Sequence, residues 1–342
     1  WYLWHWPAFV LALAATNGNK TIARIACVAA IVPAAASFHF VEQRVRLAPR
    51  LVKSSSRSLA FGAVALGFGA ACSIGVVLWG RLGVQDPQVA EWVQAEESFR
   101  PGGCEQNSTL LGAEVCLGGS DEPGDPVVLL VGDSHAAQWI AAFSEAGRAN
   151  GFAVALRYYG NCPAAPLGPS TSQKSADYDA CAAFQKETVG LLANDQVSAV
   201  VMTDAGSSRR KFDDIDAWSR SARELADAAT DREVSMGLLV DNPNSGDPLQ
   251  CLSRDFSPAE CALPKDEALV EVKAYSAAEI QLVKNASVER LDLTAITCPD
   301  DPCPIQVGGT WVAARDNHLA REFTELQTDR VGNWVDELLR KR

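Results

Sequence analysis

Histidine is scarce in this 342-residue chain, which contains four: His5, His39, His135 and His318. An imidazole acid or base working near neutral pH has to come from that small set. No Cys-x-x-Cys spacing occurs among the ten cysteines, and only two histidines share the cysteine-rich region. The usual zinc-ligand patterns are therefore missing, and no metal site is expected. Positive charge is thin beyond the first sixty residues. Residues 1–58 carry seven Lys or Arg against one acid, a net of +6, which leaves −18 for the remainder of a chain whose total is −12. A body that acidic repels a phosphate backbone, so no nucleic-acid partner is expected. There is no internal repeat and no low-complexity tract.

What is present divides sharply. Hydrophobic residues make up 48% of the chain and concentrate near its start. Residues 1–15 are apolar, but fifteen helical residues rise only ~22 Å against a hydrocarbon core of ~30 Å. The stretch reads as the second half of a membrane helix, and no basic n-region marks it as a signal peptide. Residues 21–40 form a second candidate span, and 59–79, 21 residues without a charge, the clearest third. The loop at 42–57 between them is strongly basic, which places it in the cytoplasm and everything after about Gly83 outside. Cysteine usage points the same way. Cys104, Cys116, Cys162, Cys181, Cys251, Cys261, Cys298 and Cys303 form an even set in the acidic body, as expected for disulfides in an oxidising compartment. Joining sequence neighbours gives 104–116, 162–181, 251–261 and 298–303.

Residues 84–126, mixed and rich in Gly and Pro, read as a linker leading into the domain. From 127 onward, apolar β-branched runs alternate with helical patterns. Strands are predicted at 127–131, 152–158, 197–203, 234–241 and 288–293, with helices at 136–150, 175–192, 215–230, 266–285 and 320–339. Such alternation implies a parallel sheet with helices on both faces and a ligand site at the carboxyl ends of the strands. At the first of these ends Val127-Val-Leu-Leu-Val-Gly-Asp-Ser134-His135 presents a serine where a strand turns into a helix. Backbone N–H groups and the helix dipole favour a developing oxyanion there, and a helix N-cap is the other reading of the same residue. A nucleophilic serine needs a base. His5 and His39 belong to the membrane part, and His135 adjoins Ser134 on a helix, where neighbours do not face each other. That leaves His318, in the loop before the last helix, with Asp316 two residues away to orient it.

Gly132-Asp-Ser134-His135 together with Asp316-Asn-His318-Leu319 resembles the SGNH (GDSL-like) hydrolase superfamily. Tyr2-Leu-Trp-His-Trp-Pro7 and Phe38-His-Phe-Val-Glu-Gln-Arg-Val-Arg46 resemble the closing segments of the membrane acyltransferase type 3 family, bacterial members of which carry a fused SGNH domain and O-acetylate cell-surface glycans. The resemblance implies a flavodoxin-like three-layer α/β/α domain over 127–342, preceded by about three transmembrane segments in 1–83. It implies Ser134 as nucleophile, His318 as base and Asp316 as third member, with the N–H groups of Ser134 and Gly160 in the oxyanion hole. Asp133, Asp204 and Gly206 are further candidates for oxyanion or substrate contacts. The family's Asp stands three before its His, where this chain has Arg315, and its Gly-x-Asn-Asp block is replaced by Thr203-Asp-Ala-Gly206.

The leading expectation is an O-acyltransferase in the bacterial plasma membrane. It would hold no bound cofactor, draw an acetyl group from cytoplasmic acetyl-CoA through the membrane part, and pass it from Ser134 to a glycan hydroxyl outside. The same triad with water as acceptor would make a glycan esterase. The two departures leave room for a glycan-binding module with an inert triad.

Overall fold

A computed structural model describes residues 1–341 apart from 17–18, 84–86, 99–103, 111, 168–175, 247, 249–250 and 252–256. The chain divides into two compact units, Trp1–Val89 and Ala90–Arg342. In the first unit, Tyr2–Ala15 is a helix of 14 residues, too short to span a bilayer upright. Two helices, Lys20–Arg46 and Ser55–Gly80, are long and apolar enough to cross a membrane. Asn19 starts the former by accepting the N–H groups of Thr21 and Ile22, both at 3.1 Å. The latter carries Leu59, Phe68 and Trp79 more than 70% exposed. Apolar surface of that extent is what a lipid environment covers.

The second unit is built on a seven-stranded sheet in the order β1-β2-β4-β3-β5-β6-β7. Its strands are β1 (Glu105–Leu110), β2 (Ala113–Gly119), β3 (Val127–Gly132), β4 (Ala153–Tyr158), β5 (Val197–Thr203), β6 (Ser235–Leu239) and β7 (Val288–Leu291). β3 to β7 are parallel, whereas β1 and β2 run antiparallel along one edge. Every residue of β3 is buried, and alternate side chains feed opposite cores. Val127, Leu129 and Val131 join Trp218, Leu225 and Tyr275 on one face. Val128 and Leu130 meet Ile140, Phe143, Val335 and Leu338 on the other. That is why the run reads as continuously apolar and not alternating: helices cover both faces of a parallel sheet. All four disulfides join sequence neighbours, Cys104–Cys116, Cys162–Cys181, Cys251–Cys261 and Cys298–Cys303.

The stretch at 84–126 departs from the expected linker. It supplies the helix Pro87–Ser98 and both antiparallel strands. Trp92, 1% exposed, donates its indole N–H to the carbonyl of Ala313 at 3.2 Å, so this segment is packed into the domain. β1 reads Glu-Gln-Asn-Ser-Thr-Leu, too polar to stand out by periodicity.

One glycine sets how closely the central strands meet where the chain leaves the sheet. A Cβ on Gly132, at φ 155°, would lie 1.8 Å from the carbonyl oxygen of Thr203 on β5. Only a residue without a side chain lets the ends of β3 and β5 approach so closely. Gly160, beyond the end of β4, has open space in the same position. Gly132→Ala should therefore cost about 3 kcal/mol or more, while Gly160→Ala should stay within about 0.5 kcal/mol. Urea unfolding of the two variants in detergent, followed by tryptophan fluorescence, tests the contrast.

Candidate active site

The carboxyl edge of the sheet gathers the loops after β3, β4, β5 and β6, and buried carboxylates hold them together. Asp133, 1% exposed, follows the Gly132 crossing and caps the short helix Ser134–Ala137 by accepting the N–H of His135 at 2.8 Å. Its other oxygen accepts the N–H of Ala205 at 3.1 Å and the hydroxyl of Ser208. Asp204, fully buried, accepts the N–H of Ala164 at 2.7 Å and the guanidinium of Arg209 at 2.5 Å. Burial raises the Asp204 pKa above the usual carboxylate value, with Arg209 opposing. The N–H of Gly206 is committed to the carboxylate of Asp241 at 2.8 Å. These contacts correct the expectation that Asp133, Asp204 and Gly206 face a substrate. All three tie strand-end loops to one another, because a buried carboxylate without N–H donors would be prohibitively costly.

Ser134 is half-buried at the tip of β3. One turn on, Gln138 is 4% exposed and fastens the distant His318 loop to the serine's helix. Its Oε1 accepts the N–H of Leu319 at 2.8 Å and its Nε2 donates to Asn242 Oδ1 at 2.9 Å. Asn242 in turn donates to the carbonyl of Asn317 at 3.0 Å, and Asn317 Oδ1 accepts the N–H of Ser245 at 3.0 Å. Asn317 sits at φ 66°, a left-handed conformation that Asn tolerates better than most residues. The clamp delivers His318, 8% exposed, with its ring centroid 4.9 Å from that of His135.

The His318 Nδ1 lies 2.9 Å from the carbonyl oxygen of Arg315. A carbonyl only accepts, so Nδ1 carries the proton, and in the neutral ring Nε2 keeps the lone pair. Asp316 stands in the same turn, Arg315–Asn317. Its side chain lies outside the described residues. Gly160 is exposed in the turn after β4, and the neighbouring Asn161, at φ 56°, has its Oδ1 3.5 Å from the Ser208 hydroxyl.

The strongest electrostatic feature is one that the sequence argument passes over. His135 does diverge from Ser134, as adjacent helical positions must, and it turns inward to Asp241. Nδ1 and Oδ1 are 2.6 Å apart, with both side chains almost fully buried. Burial disfavours the charged ring, but the Asp241 carboxylate, helped by Asp133 and Asp204, outweighs it and raises the His135 pKa from 6.5 to about 9. Burial alone would push Asp241 upward; His135, Arg209 and the Gly206 N–H hold it below its ordinary value. The serine's helix thus carries a buried imidazole, fixed by Asp241, whose ring centroid is 4.9 Å from that of His318. Asp241 follows β6 at the same sheet edge as Ser134, but nothing along the chain links it to His135.

No cluster of three or more His, Cys, Asp or Glu that could hold a metal ion occurs among the described residues. The arrangement suits nucleophilic acyl chemistry, with a serine on a strand-to-helix turn and an imidazole held by its Nδ1.

The His135–Asp241 pair makes stability depend on pH in a defined direction. A histidine pKa raised on folding contributes stability that is fully present below about pH 6.5 and is lost as pH rises through 9. Unfolding free energy should fall by on the order of 3 kcal/mol across that window. Asp241→Asn should lower the plateau and flatten the slope. Urea unfolding at a series of pH values for the parent and the variant checks both.

Residues 103–331 match the family described as "SGNH domain (fused to AT3 domains)". Among solved structures, the lipopolysaccharide acetyltransferase periplasmic domain of Salmonella ser. Paratyphi A is similar at 15% identity and a TM-score of 0.55, covering 74% of this chain and 99% of that one. A putative acylhydrolase from Bacteroides fragilis is similar at 12% identity and a TM-score of 0.39, covering 65% of this chain and 90% of the other. No curated protein matches the chain. With two thirds of its length matched by one family and an α/β sheet of the same kind as the Salmonella domain, the chain belongs to the SGNH domain family.

Proposed function

We propose that the chain is part of a membrane O-acyltransferase that modifies a bacterial cell-surface glycan, with Ser134 as its acyl-accepting nucleophile and His318 as its base. The observation that carries this reading is the Gln138–Asn242–Asn317 clamp. It spans 181 residues of sequence to hold the His318 loop against the helix that Ser134 begins. Polar side chains buried to that end are costly unless the loop they fix has to be in one place.

The two apolar helices support a multi-pass protein whose membrane part is of the acyltransferase type 3 kind, with the SGNH domain on the extracytoplasmic side. Four disulfides and the likeness to a periplasmic domain support that side. The acetyl group originates from cytoplasmic acetyl-CoA and reaches Ser134 on a carrier from the membrane part. His318 Nε2 takes the proton of the Ser134 hydroxyl as Oγ bonds to the acyl carbon. The bond from that carbon to the carrier breaks, and His318 returns the proton to the departing group. In the second half a glycan hydroxyl gives its proton to His318 and attacks the acyl carbon, and Ser134 Oγ leaves and recovers the proton. The Ser134 and Gly160 N–H groups are the oxyanion donors. Asp316 stabilises the imidazolium from the same turn.

Ser134→Ala and His318→Ala should each lower acetyl transfer to surface glycan by at least about a thousandfold, because members of one catalytic unit fail together. Mass spectrometry of glycan from cells expressing the full-length protein reads the loss. A serine-directed phosphonate should label Ser134 in the parent but leave the Ser134→Ala chain unmodified. Unchanged acetylation in Ser134→Ala, or an unlabelled Ser134, overturns the proposal.

A further inference from the structure

An acyl oxyanion forming on Ser134 needs N–H donors that nothing else in the molecule has claimed. Most of the donors at this edge of the sheet are already taken. The N–H groups of His135 and Ala205 go to Asp133, that of Ala164 to Asp204 and that of Gly206 to Asp241. The N–H groups of Ser134 and Gly160 have no acceptor among the described residues. One side chain is in the same condition. Asn161 is exposed in the turn after β4, and neither N–H of its Nδ2 has an acceptor among the described residues.

The topology puts that amide over the serine's strand. β3 lies between β4 and β5, so a residue after β4 that touches one after β5 has to reach across the end of β3. Asn161 does so, with its Oδ1 3.5 Å from the hydroxyl of Ser208 in the helix Gly206–Arg209 after β5. The Ser208 hydroxyl itself bonds to Asp133, the residue before Ser134. Gly132 pairs with Tyr158 in the last register position of β3 and β4, so Ser134 and Gly160 each stand two residues past it on neighbouring strands. With Oδ1 on Ser208, Nδ2 is the end of the amide left unengaged.

The turn that carries Asn161 is fixed before any substrate arrives. The Cys162 N–H donates to the carbonyl of Tyr159 at 3.0 Å and closes it, and the Tyr159 N–H donates to the carbonyl of Gly132 at 3.1 Å. Cys162 is fully buried and bonded to Cys181. Within the turn Asn161 takes φ 56°, a left-handed conformation that costs Asn less than most other residues with a side chain. A donor held in place by the fold needs no reorganisation as charge develops, which is the condition for stabilising an oxyanion. We infer that Asn161 is a catalytic residue, a side-chain oxyanion donor that completes the pair of backbone N–H groups of Ser134 and Gly160. The inference rests on the acyl-transfer reading for the oxyanion it serves.

A fluorophosphonate reads this donor. Ser134 Oγ bonds to phosphorus, the P–F bond breaks with departure of fluoride, the hydroxyl proton passes to His318, and the phosphonyl oxygen gathers charge as a carbonyl oxygen would. Asn161→Gly removes the amide and accepts a positive φ without strain. Asn161→Asp keeps the shape of the side chain but, ionised, has no N–H to give. In the full chain held in lipid nanodiscs, the limiting rate of Ser134 labelling should fall about a hundredfold in both variants. The half-saturating probe concentration and the unfolding temperature should stay near the parent's. Labelling of Asn161→Gly at the parent's rate, or a loss confined to the half-saturating concentration, overturns the inference and leaves the acyl-transfer reading standing. A parent chain whose Ser134 takes no label overturns that reading, and this inference with it.

Discussion

Three carboxylates sealed under the carboxyl edge of the sheet govern the arrangement above them. Asp133 after β3 reaches the loop after β5, Asp204 after β5 reaches the loop after β4, and Asp241 after β6 reaches back to the loop after β5. Each is satisfied by backbone N–H groups of a neighbouring loop and not by solvent. Two buried cations balance them, His135 against Asp241 and Arg209 against Asp204. Arg209 also binds Glu279 at 2.7 Å and lies over the rings of Trp218 and Tyr275. Removing any one partner would strand a charge in a dry setting, so the loops that present Ser134 have little freedom to rearrange.

How much of this was legible in the sequence follows from the range of each signal. The five parallel strands and the helices between them stood out because apolar runs of β3 and β5, buried on both faces, are bounded by turn residues. β1 and β2 did not, since an edge strand reading Glu-Gln-Asn-Ser-Thr-Leu carries no periodic pattern and needs its antiparallel partner to be recognised. Disulfide pairing between sequence neighbours was readable because each closes a short loop, between 5 and 19 residues.

In the candidate site, a serine after a buried strand and the last histidine of the chain are local features. Whether Asp133, Asp204 and Gly206 point inward or outward is not local. It depends on which loop lies opposite, and all three turned out to serve the loops. The His135–Asp241 pair joins residues 106 apart, and no pattern along the chain marks two groups whose only relation is their shared burial. Histidine elimination singled out His318, because scarcity is itself a sequence property. It left His135 aside because adjacent helical side chains diverge, and the partner of that ring, Asp241, lies 106 residues further along the chain.

The clamp on the His318 loop also fixes when the candidate site can first assemble. Gln138 closes on Leu319 across 181 residues of sequence, and contacts of such long range form late, after the loop-closure cost of the intervening strands has been met. During synthesis Ser134 leaves the ribosome with its strand long before His318 exists as chain. A nascent domain would hold the serine turn without the loop that the clamp fastens to it. On the proposed acyl-transfer reading, an unfinished copy of the protein is chemically silent.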